Sequence, residues 1–268
     1  MTEWSIQVSN FPPPMVEEES AISLNFSILQ DFFDCAYRFK LSMFYGFVQP
    51  IAAAMGYGNA VHNIVRNIHK KYLDGESLTS EEVQSIVEET FFLPYANSKM
   101  EQNMLASAKK SVDSYFQKNK EDFKNIEMAE ADIELDMGDG IKVNGRIDLV
   151  KRREISGEEK ITIVDFKTAD RDVTECLEAE QLRIYALGYQ ELTGKSADYL
   201  EILNLDNAES DRVRVTEGLT ETIAQDIRNA AKNIRANKLD KKCSKEKCST
   251  CYLNYLCLSK EEKKTYVE

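Results

Sequence analysis

The sequence predicts an α/β fold, a β-sheet core flanked by helices and preceded by a helical elaboration. Three observations carry this. Apolar residues keep helical spacing as far as about residue 123, alternate with a period of two from about residue 126, and return to helical spacing at 176–194 and from 220. The turn signal MGDG splits the first alternating stretch into two strands of a hairpin. The apolar density of KITIVDFKT marks it as a central strand.

In chain order, residues 1–22 contain PPP and EEES without a period and read as a tail or linker. SLNFSILQDFFDCAYRFKLSMFYGF reads as one helix, with Ser27 as candidate cap and Cys35 in its interior. GYGNAVHNIVRNIHKKYLDG is a second helix, closed by Gly75, with Val61, Ile64, Val65 and Ile68 as its buried stripe. Thr79 and Glu82 form a capping-box pattern that opens a third helix through Phe92. A fourth runs from about Ser98 to Phe123. The hairpin AEADIELDMGDGIKVNGRIDLV follows, with Asp139-Gly140 at its tip. After KITIVDFKT come the helix CLEAEQLRIYALGYQELTG, the strands DYLEILNL and RVRVT, and a last helix from Thr220 to about Asn237. No internal repeat occurs.

The chain has 268 residues, 43% hydrophobic and 30% charged, in the range of an ordinary soluble protein. No run approaches the roughly 18 apolar residues of a membrane span, and the N-terminus has no basic region followed by an apolar one. The expected compartment is therefore a reducing cytoplasm, where six Cys are poor candidates for three disulfides and clustered Cys more often bind metal. The net charge of −12 argues against a general nucleic-acid binder. Between Arg228 and Lys247, however, eight Lys or Arg face only Asp240 and Glu246. This run suits either a phosphate backbone or a solvated helix face.

Two strands each carry one acid among apolar residues, Asp148 in NGRIDLV and Asp165 in VDFKTAD. Residues two apart in a strand share a face, so Asp165 and Lys167 point together while Val164 and Phe166 point the other way. On neighbouring strands Asp148 and Asp165 converge. Two such carboxylates repel and lose hydration unless a cation joins them, and Mg²⁺ or Mn²⁺ suits carboxylate oxygens. Lys167 beside the ion can orient a water or stabilise a phosphate, which are the parts of metal-assisted phosphodiester hydrolysis. The pattern Asp-x-Lys alone also fits outward-facing strand positions.

GRID, a strand with DFK and a helix with QLRIYALGY together resemble the PD-(D/E)XK nuclease superfamily in its RecB-like branch. The proline of the motif's name is Ile147 here. The resemblance runs from Ser23 onward and implies a restriction-endonuclease-like mixed sheet in a single nuclease domain. Its helical part would span about 23–125, its sheet core about 126–216, and its C-terminal helix and Cys-rich region about 217–268. It implies Asp148 and Asp165 as metal ligands, Lys167 as catalytic lysine, and the backbone carbonyl of Phe166 as a further ligand. Gln181 and Tyr185, four apart on one helical face, match the branch's Q-x-x-x-Y motif and would meet the metal site or the DNA backbone. His62 matches a His that adds a metal ligand. His69 receives no role and reads as surface, and Glu130 receives no chemistry.

Cys248, Cys251 and Cys257 form C-x2-C-x5-C, far from Cys35. The split set resembles the iron–sulfur subgroup of these nucleases, which implies a 4Fe–4S cluster on Cys35, Cys248, Cys251 and Cys257. A self-contained zinc site on Cys243, Cys248, Cys251 and Cys257 competes with it, leaving Cys35 as a core thiol. Cys176 reads as a plain small residue. The expectation is a metal-dependent deoxyribonuclease acting on DNA ends or single strands, with Lys241 and Lys242 of the basic run on the DNA backbone. FPPP followed by SLNFSILQDFFDCAYRFKL resembles the linker and opening helix of nuclease domains that end UvrD-like helicases, which implies such a helicase as partner or parent chain. Without a phosphate loop G-x-x-x-x-G-K-[ST] this sequence is not expected to be the motor. A CRISPR spacer-acquisition nuclease and a non-catalytic DNA-end-binding module are the alternatives.

Overall fold

The computed structural model of the protein describes residues 21–47, 53–94, 96–168 and 180–267. Residues 1–20 of the N-terminal tail, Cys176 and the first residues of the helix assigned from it lie outside the described residues, while Ile22, read as tail, is buried at the start of a strand that runs to Asn25. The architecture is mixed α/β. A six-stranded sheet runs in the order β1 (Ile22–Asn25), β3 (Ile141–Ile155), β4 (Glu158–Lys167), β5 (Tyr199–Asn204), β6 (Glu209–Arg214), and β2 (Ile126–Asp136) also pairs with β3. The helices are α1 (Phe26–Asp34), α2 (Ala36–Met43), α3 (Ala53–Leu73), α4 (Ser80–Thr90), α5 (Ser98–Asn119), α6 (Glu180–Thr193) and α7 (Leu219–Arg235). Short helices α8 (Lys245–Thr250), α9 (Asn254–Cys257) and α10 (Lys260–Tyr266) end the chain. Among the described residues no helix is long and apolar enough to cross a membrane.

The chain forms two compact units. One comprises 51–135 and 144–223. Its β4 is the central strand, buried from Ile161 to Phe166, antiparallel to β3 and parallel to β5. A parallel neighbour requires a crossover, and α6 lies in that crossover. Val61, Ile64, Val65 and Ile68 pack with Val83, Val87, Val112 and Phe116 in this unit's core. The stripe predicted on α3 is thus its buried face. Gly75, at φ +85, accepts the left-handed turn that ends α3, with N–H bonds from Gly75 and Glu76 back to Tyr72 and Lys71. The Thr79–Glu82 capping box opens α4 with both reciprocal bonds, at 3.2 and 2.7 Å.

The other unit comprises 1–50, 136–143 and 224–268. Here the single helix expected across Cys35 is two helices. Cys35 has an extended backbone (φ −160, ψ 106) between α1 and α2. The first cap is Asn25 rather than Ser27, its side chain accepting from the Ile28 N–H at 2.8 Å. The exposed carbonyls at the end of α1 find lysines: Lys242 donates to Phe33 O at 2.8 Å and Lys247 to Asp34 O at 3.4 Å. Leu41 and Leu253 form a small core with Tyr37, Tyr252, Cys251 and Cys257 against it.

Candidate active site

The site is built on the ends of β3 and β4, with α3 and α6 beside them. Leu149 stands opposite Val164 in the antiparallel register, so one further step brings Asp148 next to Asp165. Ile147 and Leu149 are fully buried on the other face of β3. The Phe166 N–H donates to Asp148 Oδ2 at 2.9 Å. Lys167 Nζ lies 2.6 Å from Asp165 Oδ2, the two side chains sharing a face of β4. Lys167 also donates to Gln181 Oε1 at 3.3 Å, and Gln181 Nε2 donates to the Tyr185 hydroxyl at 2.6 Å. The four-residue spacing on α6 therefore yields a continuous chain Asp165, Lys167, Gln181, Tyr185. From α3, His62 places Nδ1 3.9 Å from Asp148 Oδ2 and hydrogen-bonds the backbone of Phe166. All the residues singled out around Asp-x-Lys come together.

The electrostatics are those of two carboxylates crowded into a poorly hydrated corner. Burial, reinforced by the Asp165 charge, pushes the Asp148 carboxyl well above the usual carboxylate range, against the pull of the Phe166 N–H and Lys167. Burial pulls the His62 imidazole below its ordinary value, Asp165 opposing and Lys167 assisting. A neutral imidazole is the form that binds a metal. Burial and the charges of Asp148 and Asp165 raise the Tyr185 phenol, so it stays protonated. Glu130, given no chemistry by its sequence context, has a half-buried carboxylate whose charge reaches both Asp148 and Tyr185. Its φ of 52° is the kind of local outlier that sequence periodicity does not register.

Among the described residues no three His, Cys, Asp or Glu side chains stand in a metal-holding arrangement. The Lys167 ammonium is the counter-charge on Asp165, and Phe166 N–H the partner of Asp148. The donor set nevertheless fits a hard divalent ion: two carboxylates, a neutral imidazole and a backbone carbonyl. A cation beside Asp148 would relieve the repulsion and lost hydration that raise its carboxyl.

One expectation is corrected. His69 is not surface: it is 1% exposed and bonds the Tyr115 hydroxyl at 2.7 Å among Phe123 and Phe166. The stripe that carries it continues inward because a buried Tyr partner satisfies the ring. Lys241 and Lys242 make contacts inside their own unit. Lys241 lies 3.1 Å from Glu262 and over the Tyr37 ring, while Lys242 caps α1. Arg228 and Arg235 likewise donate to the carbonyls of Met137 and Asp139. Much of the basic run thus serves helix and turn carbonyls.

In that unit Cys35, Cys243, Cys248, Cys251 and Cys257 are free, half-buried thiols. Burial pushes Cys257 up to about 12, with Cys243, Cys35 and Cys248 adding to it and Lys241 opposing. Burial and the neighbouring Cys248 push Cys243 up to about 11. Cys257 thus senses Cys35, Cys243 and Cys248, although among the described residues no three cysteines stand in a metal-holding arrangement.

No curated protein matches the chain. Among solved structures, the crystal structure of SSO0001 is 14% identical, with 88% of this chain and 96% of that one covered and a TM-score of 0.36. Protein VC1899 from Vibrio cholerae is 12% identical, with 80% and 56% covered and a TM-score of 0.24. The family model of the PD-(D/E)XK nuclease superfamily matches residues 23–258. That match spans most of the chain, and the chain belongs to the PD-(D/E)XK nuclease superfamily.

Proposed function

We propose that the protein is a divalent-metal-dependent deoxyribonuclease that hydrolyses phosphodiesters at DNA ends or in single strands. The observation that carries this reading is the convergence of Asp148, Asp165, Lys167 and His62, with Gln181 and Tyr185 holding the lysine. Asp148, Asp165, His62 and the Phe166 carbonyl would hold Mg²⁺ or Mn²⁺, the ions this superfamily typically uses. When bound, the ion supplies charge neutralisation for the phosphate and lowers the pKa of the attacking water.

The protein's own residues do the rest. Lys167 Nζ, fixed between Asp165 and Gln181, donates to a non-bridging phosphate oxygen and orients the water. Gln181 sets the direction of the ammonium by accepting one of its protons. The protonated Tyr185 hydroxyl, in turn, accepts from Gln181 and fixes that amide. His62 stays neutral and available as a donor of its lone pair. A new P–O bond forms to the water oxygen as the bond to the leaving sugar oxygen breaks.

For the cysteines the reading is a 4Fe–4S cluster on Cys35, Cys248, Cys251 and Cys257. Lys242 and Lys247 support it, because they bind the two carbonyls that precede Cys35 from either side of Cys243.

The test is end-labelled single-stranded DNA with Mn²⁺, comparing wild type with Asp165→Ala. The variant should lose at least about a thousandfold in rate, since ion and lysine both lose their anchor. Its DNA affinity should survive. A folded wild type that cuts no end and no single strand would instead leave a DNA-end-binding module.

A further inference from the structure

The face of α3 continues past His62 with Arg66 and Lys70 at steps of four residues. Each step advances about 6 Å along the helix and turns only about 40°, so the three side chains form one row leading away from the carboxylates. Arg66 and Lys70 line a cleft of about 470 Å³ together with Asn67, Glu130, Asp132 and Arg146. Arg146, from β3, is tied to Asp132 at 2.7 Å and to Glu130 at 3.5 Å. Among the described residues neither the Arg66 guanidinium nor the Lys70 ammonium has a hydrogen bond or ion pair. The Arg66 charge does reach Glu130, and the Glu130 charge reaches Asp148 and Tyr185. Glu130 thus joins the cleft to the reaction site. One wall of the cleft is acidic but covered by Arg146. The other wall, α3, is cationic: Arg66 is the strongest charge acting on Glu130, and Lys70 is exposed.

We propose that Arg66 and Lys70 form a phosphate track that holds the DNA strand along α3, contacting backbone phosphates successively farther from the scissile one. This rests on the nuclease reading of the carboxylate site. The step along the row is close to the separation of successive phosphates in an extended single strand. A lone small anion would need one cation, whereas a row directed at the reacting centre serves a polyanion that passes through it. Lys71, next in sequence, points elsewhere and pairs with Glu76 at 2.8 Å. The acid-rich remainder of the surface makes such a track the means of orienting a strand, since a net charge of −12 repels DNA elsewhere.

The test compares Arg66→Gln/Lys70→Gln with Lys70→Gln alone and with Lys71→Gln, each checked for folding by thermal unfolding. Binding of labelled single-stranded DNA is measured across a salt series, and hydrolysis is measured on that DNA and on bis(p-nitrophenyl) phosphate. Loss of both cations should weaken DNA binding about tenfold to a hundredfold. It should also reduce the slope of log K against log salt by about 1.4, from about 0.7 per phosphate contact. Hydrolysis of the small diester, which has no neighbouring phosphates, should fall far less than DNA binding does. Lys70→Gln, at an exposed position, should give about half the slope change, and Lys71→Gln none. DNA affinity and salt slope equal to wild type in the double variant would overturn the track. A wild type that binds DNA with this salt dependence but hydrolyses neither substrate would overturn the nuclease reading and leave the track standing.

Discussion

Asp122 is the counter-ion of two cations from β3. Lys151, fully buried, places Nζ 2.9 Å from Asp122 Oδ2, an ion pair whose angle falls short of a hydrogen bond. Arg153 donates through Nε at 2.8 Å and again through its terminal nitrogen. Burial alone would raise the Asp122 carboxyl. The Arg153 hydrogen bond and the Lys151 charge overcome it and hold the group below the usual carboxylate range. Asp122→Ala leaves a buried ammonium without its partner and should cost about 3–5 kcal/mol in urea unfolding. Adding Lys151→Met should recover most of that loss. His69 makes a second residue-scale prediction. Burial pulls its pKa from 6.5 to about 3, Lys151 assisting, so the folded state holds it neutral. The unfolded chain binds a proton below pH 6.5 and the folded one does not. This contribution is complete above pH 6.5 and is lost as pH falls toward 3, at up to about 1.4 kcal/mol per pH unit. His69→Gln, which can still bond Tyr115, should flatten the fall in stability between pH 6.5 and 5. An unchanged slope would show that other groups set the acid limit.

At the scale of elements, α3 carries the heaviest duty. One face is core and one edge brings His62 to the carboxylates, so its seating on the strand ends matters more than its intrinsic helicity. Gly58 stands one turn before His62, and a Cβ there would lie 2.7 Å from Thr168 Oγ1, next to Lys167. Gly58→Ala improves helix propensity by about 1 kcal/mol but forces either the Thr168 hydroxyl, beside Lys167, or α3 itself to shift. The expected result is a melting temperature near wild type with Mn²⁺ affinity lower by roughly 10–100-fold, the usual cost of disturbing a ligand's support. Scanning calorimetry would read the first and calorimetric titration the second. The break at Cys35 teaches the opposite lesson. Apolar spacing continues through α1 and α2, so periodicity shows one helix. The extended backbone at Cys35 and its neighbours' lysine-capped carbonyls are long-range effects.

On the scale of the whole molecule, each compact unit owns one set of reactive side chains. The carboxylate site lies within 51–135 and 144–223, and Cys35, Cys243, Cys248, Cys251 and Cys257 lie within 1–50 and 224–268. Chemistry and thiol binding should therefore fail separately. Protein purified without oxygen should show visible iron–sulfur absorbance in wild type and Asp165→Ala alike. Cys35→Ala should lose that absorbance, whereas Cys243→Ala should keep it. Colourless wild type with one bound zinc, retained by Cys35→Ala and lost by Cys243→Ala, would instead establish the local zinc site. Because the long loop between Cys35 and Cys248 is closed only in the cluster case, Cys35→Ala should also lower the melting temperature of a cluster-holding protein.

Much of this could be read without coordinates. A two-residue period decides which strand positions share a face, so Asp165 and Lys167 had to point together. A four-residue period does the same for Gln181 and Tyr185, and for His62, Arg66 and Lys70. Turn and cap signals at MGDG, Gly75 and Thr79 are local, and each sits where it was expected. Partnership across the fold is another matter. Whether His69 is buried depends on Tyr115 lying opposite it. Lys241 and Lys242, though exposed, meet Glu262 and the end of α1, which their own sequence context does not announce. Periodicity reports the face a residue occupies, but the energy of a buried or charged group depends on what the tertiary packing sets against it.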